Sequence, residues 1–216
     1  VRSFVITIES IPESVEAANR CIQSAAKFGY VVEKFSAITP ENDPIGLCEE
    51  LGIDLAGFSE SKKYSRLERC VSAFLSHRSL WVKCAESKEE FQIFEHDAVF
   101  VDNVPEFLNY KGCVSLGAPS YGRFNTPPSL GVNPLTSKPY FPGAHAYRLK
   151  SNAAAELVEY SFKHAEPTDI YLRLENFSWL EEYYPWPVVA KENFSTIQHE
   201  GGCSAKHAYN ENYKLL

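Results

Sequence analysis

The chain has 216 residues, 44% hydrophobic and 23% charged, with a formal net charge of −7. That length can bury one substantial core, and the composition is that of a soluble globular protein. The acidic balance without any Lys/Arg-rich run argues against a non-specific nucleic-acid binder, and no apolar run reaches membrane-spanning length.

Ser3–Glu9 is a short β-rich run, followed by a helical pattern in which Val15, Ala18, Cys21, Ile22, Ala25 and Ala26 share a face. Pro12 suits the helix start and Gly29 its stop. Tyr30–Phe35 reads as a second strand, so the first unit is βαβ, with parallel strands and a right-handed crossover. Short helical stretches are expected around Cys48–Leu51 and Gly57–Tyr64. Arg66–Lys88 is the most regular helix, with Leu67, Cys70, Val71, Phe74, Leu75, Leu80, Trp81 and Cys84 on a broad apolar face. His77 lies within it.

Phe91–Val101 is the stretch around which the chain is organised. A strand pattern is interrupted by Glu95, His96 and Asp97 and then resumes. Carboxylates at i and i+2 of an extended segment face one side. Desolvating such a pair is expensive, and a hard divalent cation would make the arrangement favourable. Taken alone, the pair reads first as a strand that reaches the surface, with Glu95 and Asp97 solvated in the following turn.

Val114–Gly117 is a further strand candidate. Residues 118–142 are rich in Pro, Gly, Ser and Asn and read as a long functional loop, its aromatic residues Tyr121, Phe124, Tyr140 and Phe141 offering an ordered contact surface. Gly143–Leu149 reads as a strand and Lys150–Ser161 as a helix with Ser151 at its N-cap. Pro167 and Asp169 suit the first turn of another helix. The tail, about residues 200–216, is polar and expected to be mobile. The six cysteines (Cys21, Cys48, Cys70, Cys84, Cys113, Cys203) show neither C-x-x-C nor zinc-ligand spacing, and read as buried thiols in a reducing, cytoplasmic setting.

Four stretches in order resemble glycosyltransferase family 25, which includes lipooligosaccharide and collagen galactosyltransferases. They are Phe4–Ile8, Leu75-Ser76-His77-Arg78-Ser79-Leu80-Trp81, Phe94-Glu95-His96-Asp97-Ala98, and Gly143-Ala144-His145-Ala146-Tyr147 with the later Pro167-Thr168-Asp169 and Ser195-Thr196-Ile197. The chain departs from the family pattern at Thr7, where Asn is usual, at Ser72-Ala73, where Gly-Cys is usual, and at His96, which replaces the middle acid. The family's arginine after the first strand has no counterpart in Ser10–Ala18.

The resemblance implies a single Rossmann-like nucleotide-sugar transferase domain of the GT-A type over residues 1–216, with a mostly parallel central sheet flanked by helices. The implied activity moves a hexose, galactose or glucose, from a UDP-sugar to a hydroxyl acceptor on a glycan or protein, with inversion. Mn²⁺ or Mg²⁺ would sit on Glu95 and Asp97, with His145 and His199 as candidates for a third ligand. Donor contacts would come from Thr7, Ile8, Glu9, Ala37, His77 and Glu95. Asp169 is the first candidate for the base and Glu175 the reserve, although Asp169 reads equally as a helix-start residue. Two other readings stay open: a catalytically degenerate nucleotide-sugar-binding relative, and a non-enzymatic acidic α/β binding module.

Overall fold

A computed structural model describes residues 1–63, 65–191, 194–199 and 213–216. The N-terminal unit is strand β1 (Arg2–Thr7), helix α1 (Pro12–Ala26) and strand β2 (Glu33–Ser36). β1 and β2 pair in parallel with Phe4 opposite Glu33, as expected of a βαβ unit. Helices α2 (Pro44–Leu51) and α3 (Leu67–Ser87) lead into strand β3 (Phe91–Glu95), which pairs in parallel with the other side of β1. Strand β4 (Ala98–Phe100) leaves this sheet, and strand β5 (Cys113–Ser115) rejoins it.

The second half adds strands β6 (Gly131–Pro134) and β7 (Ala146–Leu149), helices α4 (Ser151–His164) and α5 (Thr168–Tyr171), and strands β8 (Leu180–Tyr184) and β9 (Val188–Ala190). The central sheet runs β2-β1-β3-β7-β5-β8-β6, with β7 and β6 opposed to the other five strands. β4 pairs with β9, and strand β10 (Phe194–Ser195) pairs with β11 (Lys214–Leu215).

Alternation along the strands divides the core into two layers. Phe4 and Ile6 of β1 and Phe91 and Ile93 of β3 join Phe74, Leu75, Trp81 and Leu157, the apolar faces of α3 and α4. Val5 and Phe94 point the other way, to Ala18, Cys21 and Ala25 of α1. Helices therefore cover both faces of a Rossmann-like α/β sheet.

Several expectations need correction. The 118–142 region is not all loop, because Gly131–Pro134 forms an edge strand opposite β8. β8 itself lies inside the sheet, in a segment where the sequence shows no strand pattern. Its buried residues include Glu181 and Glu182, which mask the apolar signal. Both acids accept from loop amides: Glu182 Oε1 from the N–H groups of Thr136 (2.6 Å) and Ser137 (2.7 Å), and Glu181 Oε2 from that of Lys111 (2.6 Å), while Glu182 Oε2 is buried with no hydrogen-bond partner among the described residues. Ser151 is the first residue of α4, not its cap, and Lys150 in the cap position makes no side-chain cap bond. The helix expected after Pro167 is a single turn.

Cys21, Cys48, Cys70, Cys84 and Cys113 are buried free thiols, while Cys203 lies outside the described residues. Most of the expected tail and Tyr64 also lie outside them, but Lys214–Leu215 is a strand. No helix among the described residues is long and apolar enough to cross a membrane.

Candidate active site

A cleft of about 380 Å³ opens where β1 and β3 end side by side. Ile6 is paired with Glu95, so the chain leaves both strands at the same level. Ligands of open α/β sheets bind at such carboxyl ends. The walls come from Ile8 and Ile11 after β1, Ala37–Glu41 after β2, the α3 face from Arg69 to His77, the Glu95-His96-Asp97 run, and Phe194–Ile197.

Glu95 and Asp97 both line this cleft. His96, between them, has its imidazole Nδ1 3.0 Å from Ser14 Oγ and its ring stacked on Phe194. Ser14 Oγ also accepts from the Ile8 N–H. His96 thus ties the end of β1, the first turn of α1 and the tail to one another. Burial holds its pKa down at about 4, with Arg20 adding to the effect, so the ring is neutral.

His77 contacts Glu95 from α3. Its Nε2 is 3.1 Å from Glu95 Oε1, its Nδ1 is 2.8 Å from the Tyr147 hydroxyl, and Trp81 Nε1 donates to the same hydroxyl at 2.8 Å. Since that oxygen accepts from Trp81, the arrangement that satisfies every atom has Tyr147 donating to Nδ1 and the Nε2 proton pointing at Glu95. Burial pushes the His77 pKa to about 3. Burial, reinforced by the charge of Asp169, pushes the Glu95 carboxyl up to about 8. Next to His77, Ser76 Oγ donates to the Ser72 carbonyl and accepts from the Ile38 N–H, fixing the cleft wall at Ala37–Thr39.

Asp169 does not line the cleft. Its Oδ2 accepts from the Tyr121 hydroxyl at 2.5 Å and its Oδ1 from the Ile170 N–H at 3.0 Å. Its charge nevertheless acts on both Glu95 and His77, and burial raises its own pKa. The bond to Tyr121 fastens the 118–142 region to this acid. In that region the Lys138 ammonium lies 4.9 Å from the Tyr121 ring centroid and 5.3 Å from that of Tyr140.

Of the residues expected from the sequence, Ile8, Ala37, His77, Glu95 and Asp97 are brought together here. The others are placed elsewhere. Thr7 is buried and its hydroxyl donates to the Val5 carbonyl, because its side chain falls on the inner face of β1. Glu9 accepts from Ser36 Oγ at 2.7 Å on the exterior. His145 is buried against the backbones of Gly117 and Gly143, away from the cleft walls. His199 is not a cleft residue either, and its Nε2 lies 3.4 Å from the Lys62 carbonyl. Glu175 is exposed, 3.7 Å from Arg173 Nε, because α5 ends four residues earlier. Among the described residues no three His, Cys, Asp or Glu side chains converge as a metal cluster. Arg69, Ser72 and Phe194 were not foreseen as cleft residues, since nothing in the sequence separates them from an ordinary helix face and tail.

The cleft sets two carboxylates at the carboxyl ends of the strands of an α/β sheet, where such folds bind ligands. The model of glycosyltransferase family 25 (LPS biosynthesis protein) matches residues 3–115, more than half of the chain and the part that carries β1, α3, Glu95 and Asp97. The chain belongs to this family and is a glycosyltransferase, acting between a sugar donor and an acceptor. No curated protein matches it. The similarities noted at Gly143–Tyr147, Pro167–Asp169 and Ser195–Ile197 lie beyond the matched residues.

Proposed function

We propose that the enzyme transfers a hexose, galactose or glucose, from a UDP-sugar to a hydroxyl acceptor with inversion, and that a divalent cation assists. The observation that carries this reading is the placement of Glu95 and Asp97 together on the cleft at the ends of β1 and β3.

The residues fit Mn²⁺ or Mg²⁺. Such ions bind through one or two carboxylates and leave other positions to substrate phosphates and water, so two protein ligands suffice. A carboxyl raised to about 8 beside a second acid is a position that a cation would favour. Glu95 and Asp97 would hold the ion, with His96 tied back to Ser14 and His77 orienting Glu95. Bound there, the ion would neutralise charge developing on the departing diphosphate.

The chain's own groups account for the remaining roles. The apolar side chains of Ile8, Ile11 and Ile38 offer a surface for the nucleoside. Asp169 would take the acceptor hydroxyl proton. Burial raises its pKa above the ordinary carboxylate value, which strengthens it as a base, and the Tyr121 and Tyr140 rings present faces to an acceptor sugar. A panel of UDP- and GDP-sugars, assayed for hydrolysis with and without Mn²⁺, tests the reading. Release of UDP from UDP-galactose or UDP-glucose only with the metal is expected, and metal-independent release or preference for GDP-sugars would overturn it.

A further inference from the structure

Lys138 follows β6, and its ammonium is held over two tyrosine rings, 4.9 Å from the centroid of Tyr121 and 5.3 Å from that of Tyr140. The residue is half-buried. Its Nζ donates to the Tyr140 hydroxyl at 3.3 Å, its one oxygen partner among the described residues. Among those residues no carboxylate lies within ion-pair distance of it. Gly122 makes room for the group: its φ is +69°, and a Cβ there would lie 2.8 Å from Nζ. Tyr121 also donates to Asp169 Oδ2 at 2.5 Å, so the cation, the two rings and the acid form one cluster. β5 runs parallel to β3, and the chain leaving it towards Tyr121 therefore emerges at the sheet edge that carries Glu95.

No acid touches this ammonium. Asp169 gives its oxygens to Tyr121 and to the Ile170 N–H. Ring faces attract a cation through their quadrupole, but two rings and a neutral hydroxyl leave its charge uncompensated and leave donor capacity for a ligand. A lysine that only braced the loop would gain more from a carboxylate, and the chain has 28 Asp and Glu against 21 Lys and Arg. Saccharides stack the apolar C–H face of a pyranose on aromatic rings. A sugar that also bears a carboxylate or a phosphate would meet the ammonium in a charge-assisted bond, about twice as strong as a neutral one.

We propose that Lys138 reads a negative charge on the acceptor, so that the acceptor of this enzyme is an acidic saccharide, one bearing a carboxylate or a phosphate. The inference rests on the assignment of Asp169 as the base above and adds to it the chemical class of the acceptor and the residue that selects it.

The test is ligand-observed NMR titration in EDTA, with methyl glucoside, methyl glucuronide and glucose 6-phosphate as probes, each with and without UDP. Wild-type protein should bind an acidic sugar about ten-fold more tightly than the neutral one, the worth of a charge-assisted bond, and high salt should shrink the preference. A preference for the glucuronide alone, or for the phosphate alone, supports the proposal and tells which anion is read. Lys138→Met, which keeps the apolar stem, should abolish the preference, and Lys138→Arg should keep it. If the Met variant fails to fold by circular dichroism, Lys138→Gln and the wild-type comparison decide. Equal affinities in the wild-type protein, no binding of any sugar at millimolar concentration, or a preference that survives Lys138→Met would overturn the proposal. Equal loss of all three sugars in Lys138→Met would also overturn it, making the lysine a loop brace. Displacement of the acidic sugars by UDP would do the same, placing them in the donor cleft. A Lys138-dependent preference in a protein that does not bind UDP would keep the acidic-sugar site and remove the donor reading, whereas UDP binding without any sugar preference would do the reverse.

Discussion

His77 Nε2 lies 3.1 Å from Glu95 Oε1 while its other ring nitrogen lies 2.8 Å from the Tyr147 hydroxyl. An imidazole on α3 is thereby held between the end of β3 and the middle of the sheet. Trp81, one turn further along α3, completes the line by donating to Tyr147. All three side chains are buried, so no water replaces a lost partner. Tyr147→Phe leaves Trp81 Nε1 and His77 Nδ1 without their partner, and should lower unfolding free energy by about 2–3 kcal/mol. Urea denaturation checks it, and a loss under about 0.5 kcal/mol would mean that the line is not rigid.

The pH dependence of stability follows from the same residues. Glu95 is raised from 4.5 to about 8, so the folded protein keeps a proton that the unfolded chain releases. Its contribution is full below about pH 4.5 and is lost as pH rises through 8. In metal-free buffer, Glu95→Gln should match wild type near pH 4.5 and exceed it near pH 9. The side chain is 31% exposed, so solvent screening keeps the gap on the order of 1 kcal/mol. On the acid side, His77 (about 3), His96 (about 4) and His145 (about 4) are held below the usual 6.5. The unfolded chain takes up protons there first, so stability present above pH 6.5 falls as pH drops towards 4. Thermal unfolding across pH 4–9 measures both limbs.

Much of the first half was legible because its signals are local. Alternating Phe4, Val5 and Ile6, the helix from Pro12, and the long apolar face from Leu67 each announce their element, whereas Glu95 and Asp97 reach one cleft across the turn at 96–97 that follows β3, not along an extended strand. The second half hides its elements. β8 carries Glu181 and Glu182 into the sheet, which only amides from Lys111, Thr136 and Ser137, distant in sequence, make tolerable. Thr7 and His145 look like ligands from their residue types, but strand direction and close glycine packing take them away from the cleft. Arg69 is visible only once α3 is laid against the tail.

Gly117 makes that packing possible. A Cβ there would lie 2.5 Å from His145 Nε2, and the buried ring has little room to move. Gly117→Ala should cost about 1–3 kcal/mol. It should leave donor affinity within about two-fold if His145 has no part in the metal site, and differential scanning fluorimetry with UDP titration separates the two effects.

Asp169 as the base gives a kinetic signature. Its bond from Tyr121 lowers a carboxyl that burial raises, so removing the hydroxyl raises the pKa further. Tyr121→Phe should move the acid limb of the transfer-rate profile to higher pH, because the base works only when deprotonated. Asp169→Asn should reduce kcat by about 10²–10⁴-fold while donor affinity stays within a few-fold. A variant that loses donor binding and keeps kcat would assign Asp169 to the donor site instead.

The central claim is that Glu95 and Asp97 hold a cation for a nucleoside diphosphate, and titration of UDP with and without Mn²⁺ tests it most directly. Wild-type protein should bind UDP at least about ten-fold more tightly with Mn²⁺, and Asp97→Asn, folded by circular dichroism, should lose that gain while retaining its metal-free affinity. Equal UDP affinity with and without Mn²⁺ in the wild-type protein would contradict it.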